Sequence, residues 1–108
     1  MLGNVSADLS TIQFKAARIV RVIEDVDGHR LAFEVSYPIP SGGSDFPRRR
    51  LIFHRYNRYV VDEPGCAGEP TIQRVEIGEV DTHRVTIRMH TDLGLREVTC
   101  LQVFEEDI

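Results

Sequence analysis

From Arg30 to Tyr37 the chain alternates without a fault. Leu31, Phe33, Val35 and Tyr37 fall on one phase, and Arg30, Ala32, Glu34 and Ser36 on the other. A period of two with β-branched and aromatic residues on the apolar phase marks a strand whose one face is buried. The feature recurs earlier: Ile12, Phe14, Ala16, Val20 and Val22 share the even phase, broken by Arg18, against Thr11, Gln13, Lys15 and Arg21. This predicts a long strand over 11–24, with a bulge or bend near Ala16-Ala17 that lets Ile19 and Ile23 change face. A short helix over Ser6–Ala17, capped by Ser6 or Asp8, competes for the first residues only. Nothing in the middle of the chain carries the 3.6-residue stripe of an amphipathic helix.

Turn-forming clusters separate the alternating segments. Asp25-Val26-Asp27-Gly28 predicts a hairpin whose Gly28 supplies the positive φ of a type I′ turn. Residues 38–47, PIPSGGSDFP, and 62–70, DEPGCAGEP, read as exposed loops. Between them RRRLIFHRYNRYVV reads as one strand of mixed phase. Three further strands are expected at about 71–80, 84–91 and 95–104, joined by the short links 80–83 and 91–94. The expected fold class is therefore all-β: about six antiparallel strands, arranged as two three-stranded meanders in a small barrel or sandwich. An internal echo suits that arrangement. Ile23–Val35 (IEDVDGHRLAFEV) aligns with Ile77–Met89 (IGEVDTHRVTIRM), giving a pseudo-repeat of about 19–37 and 72–91.

A chain of 108 residues fits one domain, 1–108. With 42% hydrophobic residues it can close a core. No apolar run approaches the ~20 residues of a bilayer-spanning helix, and the first residues lack the basic-then-apolar order of a secretion signal. Two cysteines, Cys66 and Cys100, are too few for a disulfide framework, so they are expected as reduced thiols in the cytoplasm. Cys100, in an apolar strand, reads as a small buried hydrophobe; Cys66 sits in the second loop.

The net charge of −4 conceals a polarised chain. Five arginines and no acid lie between Phe46 and Val60, whereas six acids and one arginine lie between Asp62 and Asp81. The basic stretch supplies the candidate binding residues Arg48, Arg49, Arg50, His54, Arg55, Tyr56 and Arg58. Guanidinium forks grip carboxylate or phosphate, and tyrosines stack or line an interface. On a regular strand His54, Tyr56 and Arg58 would share one face, opposite Phe53, Arg55 and Tyr59. Two function classes follow. In the first, the chain is a non-enzymatic protein-interaction domain whose basic and acidic blocks meet a partner or a second copy, as in a homodimer. In the second, the same strand binds RNA, or cleaves it without metal through His54 with arginines on the phosphate. A pI of about 5.5 weighs against a general nucleic-acid binder, for which ~9 or above is usual.

The hairpin residues Asp25, Asp27 and His29, echoed by Glu79, Asp81 and His83, are metal-ligand types on alternate positions, but at hairpin tips they read as solvated turn residues. No metal, no cofactor and no catalytic residue is assigned, and no membrane partner is expected. No nucleophile elbow or phosphate-binding glycine loop is present. The strand layout ending in Arg96-Glu97-Val98-Thr99-Cys100-Leu101-Gln102-Val103-Phe104-Glu105 resembles that of small bacterial immunity-type β proteins, a likeness of layout that gives no residue a role.

Overall fold

The computed structural model describes residues 12–38, 48–64, 68–81 and 83–107. Over those residues it is all-β, with eight strands: β1 (Arg18–Asp25), β2 (Arg30–Ser36), β3 (Arg48–His54), β4 (Arg58–Asp62), β5 (Ile72–Glu79), β6 (Val85–Thr91), β7 (Leu95–Cys100) and β8 (Gln102–Asp107). They form two antiparallel four-stranded sheets, ordered β1-β2-β3-β8 (sheet A) and β4-β7-β6-β5 (sheet B). The sheets pack face to face as an open sandwich. Each sheet is a three-stranded meander completed by a strand from the other half of the chain: β8 joins β3, and β4 joins β7.

The alternation in the sequence places the core. Leu31, Phe33 and Val35 of β2, Leu51 and Phe53 of β3, Ile87 and Met89 of β6, and Val98 and Cys100 of β7 are fully buried in one cluster. Phe33 and Phe53 meet edge to face at 4.9 Å, and Tyr59 leans on Phe33 at 5.7 Å. Each such side chain contributes about 1.5–3 kcal/mol by leaving water. Burial pushes the Cys100 thiol up to about 12, the behaviour of a small hydrophobe rather than a reactive cysteine. Among the described residues no helix is long and apolar enough to cross a membrane.

The strand count exceeds the expected six because two segments break where no Gly or Pro marks a turn. The 48–61 stretch is two strands in different sheets, divided at Arg55, which adopts a positive φ of 54°. The last segment divides at Leu101. These breaks lie side by side: Leu101 N–H donates to the His54 carbonyl (3.1 Å), and Asn57 N–H to that of Thr99 (2.9 Å). At the opposite corner Ala16 N–H donates to Ile72 O (2.7 Å) and Ile19 N–H to Pro70 O (2.8 Å), with a bridge between Arg18 and Thr71.

Three local expectations shift. β1 starts only at Arg18: Ile12 and Phe14 are buried in non-strand backbone that turns at Ala16 (φ 74°), and residues 12–17 form no helix. The bulge falls between Ile19 and Arg21, and β5 breaks register likewise between Ile72 and Arg74. In the first hairpin His29, not Gly28, holds the positive φ (53°); Gly28 instead donates its N–H to Asp25 Oδ1 at 3.0 Å. A Cβ at Gly28 would press on that carboxylate. Most of the 38–47 loop, and Cys66, lie outside the described residues.

Candidate functional site

Register and alternation decide where the seven basic-strand candidates point. On β3, Arg48, Arg50 and His54 face outward from sheet A, because Leu51 and Phe53 face the core. Arg49 shares the core-facing phase at the end of the strand, in register with Val35 and Asp107. Arg50 bridges two acids, donating Nη2 to Glu34 (3.1 Å) and Nη1 to Glu106 (2.9 Å). Those bonds, Glu106 first, raise its pKa further. Its Nε is buried without a partner among the described residues. His54 lies beside the Phe104 ring at 5.9 Å. Arg55 is exposed at the turn. Tyr56 is in the core and donates its hydroxyl to Glu24 at 2.6 Å; desolvation first, then that bond, pushes its pKa up to about 12. Arg58 is on the outer face of sheet B, 3.8 Å from Glu97. The break after His54 thus separates His54, Tyr56 and Arg58, which a regular strand would align. Three candidates gather on one face, and the others go to the core side, the turn, the core and the opposite sheet.

What sheet A does build on its outer face is a set of rows running across all four strands. One row is apolar: Ile23, Ala32, Ile52 and Phe104. Ile23 and Phe104 are 39% and 42% exposed, whereas Ala32 and Ile52 between them are nearly covered by their neighbours. Above it Arg21, Glu34, Arg50 and Glu106 alternate in charge; below it lie Asp25, Arg30, His54 and Gln102. The small Ala32 leaves a shallow cavity of ≈ 240 Å³ bounded by Ile23, Asp25, Arg30 and Arg50. Arg18, Arg21, Arg30, Arg48 and Arg50 outnumber Asp25, Glu34 and Glu106 here; Arg18 is answered from outside the sheet by Glu69 at 3.4 Å, so the basic excess of this face rests on Arg21, Arg30 and Arg48. Among the described residues Arg21, Arg30 and Arg48 make no ion pair. Strict alternation alone does not reveal the apolar row. Its signal was present in Leu31-Ala32-Phe33, Leu51-Ile52-Phe53 and Val103-Phe104, where apolar residues occupy both phases of a strand.

The outer face of sheet B is internally neutralised. Glu97 accepts from Arg88 Nε and Nη2, both at 2.9 Å, and Glu76 accepts from His90 Nε2 at 2.7 Å. The His90 bond, with Arg74 3.5 Å away, holds the Glu76 carboxyl below the usual range. A groove of ≈ 380 Å³ over Gly78 is lined mainly by Glu76, Glu79, Thr86, Arg88 and Glu97. At the sandwich rim Arg96 forks onto both oxygens of Glu63 (2.8 and 2.9 Å) and donates to Tyr59 Oη at 3.0 Å. The acidic segment is thereby tied largely to residues outside the basic strand. Asp81 Oδ1 accepts the N–H groups of His83 (2.7 Å) and Arg84 (2.9 Å), which lowers its pKa and occupies it as a turn residue. No group of three or more metal-ligating side chains occurs among the described residues. Comparison with protein-family models, curated proteins and solved structures finds no match to this chain.

Proposed function

We propose that this protein is a non-enzymatic protein-interaction domain that takes its partner on the outer face of sheet A. The observation that carries the reading is the outward-facing row Ile23, Ala32, Ile52 and Phe104, set between charged rows. Sheets with one solvated face ordinarily keep it polar, and an apolar strip rimmed by charge is the usual make-up of a contact surface. The partner it fits is a protein surface with an apolar ridge flanked by carboxylates, which Arg21, Arg30 and Arg48 would meet. His54 lies beside Phe104 within the surface, and Arg50, already neutralised, shapes its floor. The charged side chains elsewhere support the same reading, since Arg88, His90 and Arg96 are engaged with Glu97, Glu76 and Glu63, and the groove over Gly78 is lined by two of those same paired carboxylates.

A randomised peptide display selected on the full-length protein tests this. Selected peptides should pair apolar residues with Asp or Glu and should weaken as salt is added. Phe104→Ala should cost them about thirtyfold in affinity, the scale of an aromatic anchor. Arg30→Glu/Arg48→Glu should weaken them further while leaving circular dichroism unchanged. Peptides without acidic enrichment, or that bind the Phe104→Ala protein as tightly, would overturn the assignment.

A further inference from the structure

Among the described residues four strands form the edges of the two sheets: β1 and β8 in sheet A, β4 and β5 in sheet B. An edge offers unpaired N–H and C=O groups to any other chain, and proteins block their edges by bulges, cover or charge. The starts of β1 and β5 cover each other through the Arg18–Thr71 bridge and the bond from Ile19 N–H to Pro70 O, and each strand carries a register break. β8 carries Glu105, Glu106 and Asp107 and no basic residue, so a second copy laid along it would add six acids to the seam and no ion pair. β4 differs from the other three. It pairs with β7 in unbroken register from Arg58 to Asp62, and among the described residues no backbone hydrogen bond reaches its other side.

The β4 sequence, Arg-Tyr-Val-Val-Asp, is complementary to itself when run antiparallel. With a two-fold axis at Val60, Arg58 faces Asp62 of the second copy, Tyr59 faces Val61, and Val60 faces its own counterpart. Register and face agree. Arg58, Val60 and Asp62 lie on the outer face of sheet B, opposite Thr99, Glu97 and Leu95. Tyr59 and Val61 lie on the inner phase, where Tyr59 already touches Phe33. Val61 is 47% exposed, and pairing would cover it with the second copy's Tyr59. A one-residue slip would put Val61 on the wrong face and separate the charges, so the register specifies itself. The two charges that ordinarily guard an edge attract here, because antiparallel pairing brings opposite signs together twice.

We propose that β4 is a self-pairing edge through which two copies of this chain join their B sheets into one eight-stranded sheet. The contact is isologous and closes on itself, so it stops at the dimer. It is separate from the outer face of sheet A and stands whether or not that face binds a partner.

Sedimentation of the full chain from about 5 µM to about 1 mM tests it, a range that brackets the weak affinity of one short strand pair. Mass should rise from monomer to dimer and no further. Arg58→Asp and Asp62→Arg should each weaken dimerisation at least about tenfold. The double swap Arg58→Asp/Asp62→Arg faces Asp with Arg again and should restore dimerisation to within a few-fold of the original. Circular dichroism and thermal melts confirm that each variant is folded, and Asp62→Arg is the cleaner single variant because Arg58 also lies near Glu97. Phe104→Asp should leave the dimer intact. A chain that stays monomeric throughout, grows beyond the dimer, or shows no rescue in the double swap overturns the proposal. So does loss of the dimer on Phe104→Asp, which would place the self-contact on sheet A.

Discussion

Tyr56 shows how one side chain can change its meaning between sequence and fold. In the string His54-Arg55-Tyr56-Asn57-Arg58 it reads as an aromatic interleaved with cations, the pattern of a stacking surface. In the fold it plugs the corner where the chain leaves sheet A, and its hydroxyl is spent on Glu24. All three tyrosines share this restraint. Burial raises Tyr37 and Tyr56 to about 12, and Tyr59 in the same direction. The sign of the stability effect follows: a raised folded-state pKa favours the neutral phenol, so stability is complete below the unfolded value of 10.0 and is lost as pH climbs toward 12. Cys100, with an ordinary value of 9.0, begins the same loss slightly earlier. Phenolate absorbance near 295 nm should therefore lag well behind that of the unfolded chain at pH 10 in the native protein, and most of its rise should coincide with loss of strand signal. Half-titration near pH 10 with native circular dichroism intact would contradict this.

At the scale of elements, the tight links were the legible part. Asp92-Leu93-Gly94 turns the chain as its composition announces, with Gly94 at a φ of 151°. A Cβ there would collide with the backbone carbonyl of Asp62, at the end of β4. Gly94→Ala should cost about 3 kcal/mol by combining a glycine-only conformation with that collision. Urea denaturation measures it, and a cost below about 1 kcal/mol would mean that the β4–β7 junction yields easily. The meanders β1-β2-β3 and β5-β6-β7, and the buried residues of β2, were readable from alternation. The two sheet changes were not. Arg55 and Leu101 are poor turn formers, and they bend because each break is bonded to a neighbouring one across the corner rather than by local chemistry. Their trace in the sequence is a slip of phase, with Val98 and Cys100 buried on even numbers and Val103 on an odd one. The same non-local cause scattered the basic-strand candidates, because the strand assumed to carry them together does not exist as one piece.

For the whole molecule, the exchanged fourth strands mean that neither half owns a complete sheet. Without β8, the β3 edge of sheet A is left open beside Leu51 and Phe53; without β4, the β7 edge is left open beside Val98. Separate fragments 1–66 and 67–108 should each lack native strand signal, and mixing them should restore it, whereas the intact chain should unfold in a single transition. A fragment that folds alone would show that a three-stranded meander suffices. The topology also sets how the molecule carries a load. Arg18 and Asp107 sit at the same end of sheet A, in neighbouring rows and three strand spacings apart, or about 14 Å. Tension applied between those points opens the outer strands as a zipper opens, one rung after another. A lengthwise shear of the same sheet would have to break every rung together. The sandwich is compliant along one axis and stiff along another, a mechanical anisotropy that follows from which ends of its outermost strands the chain left side by side.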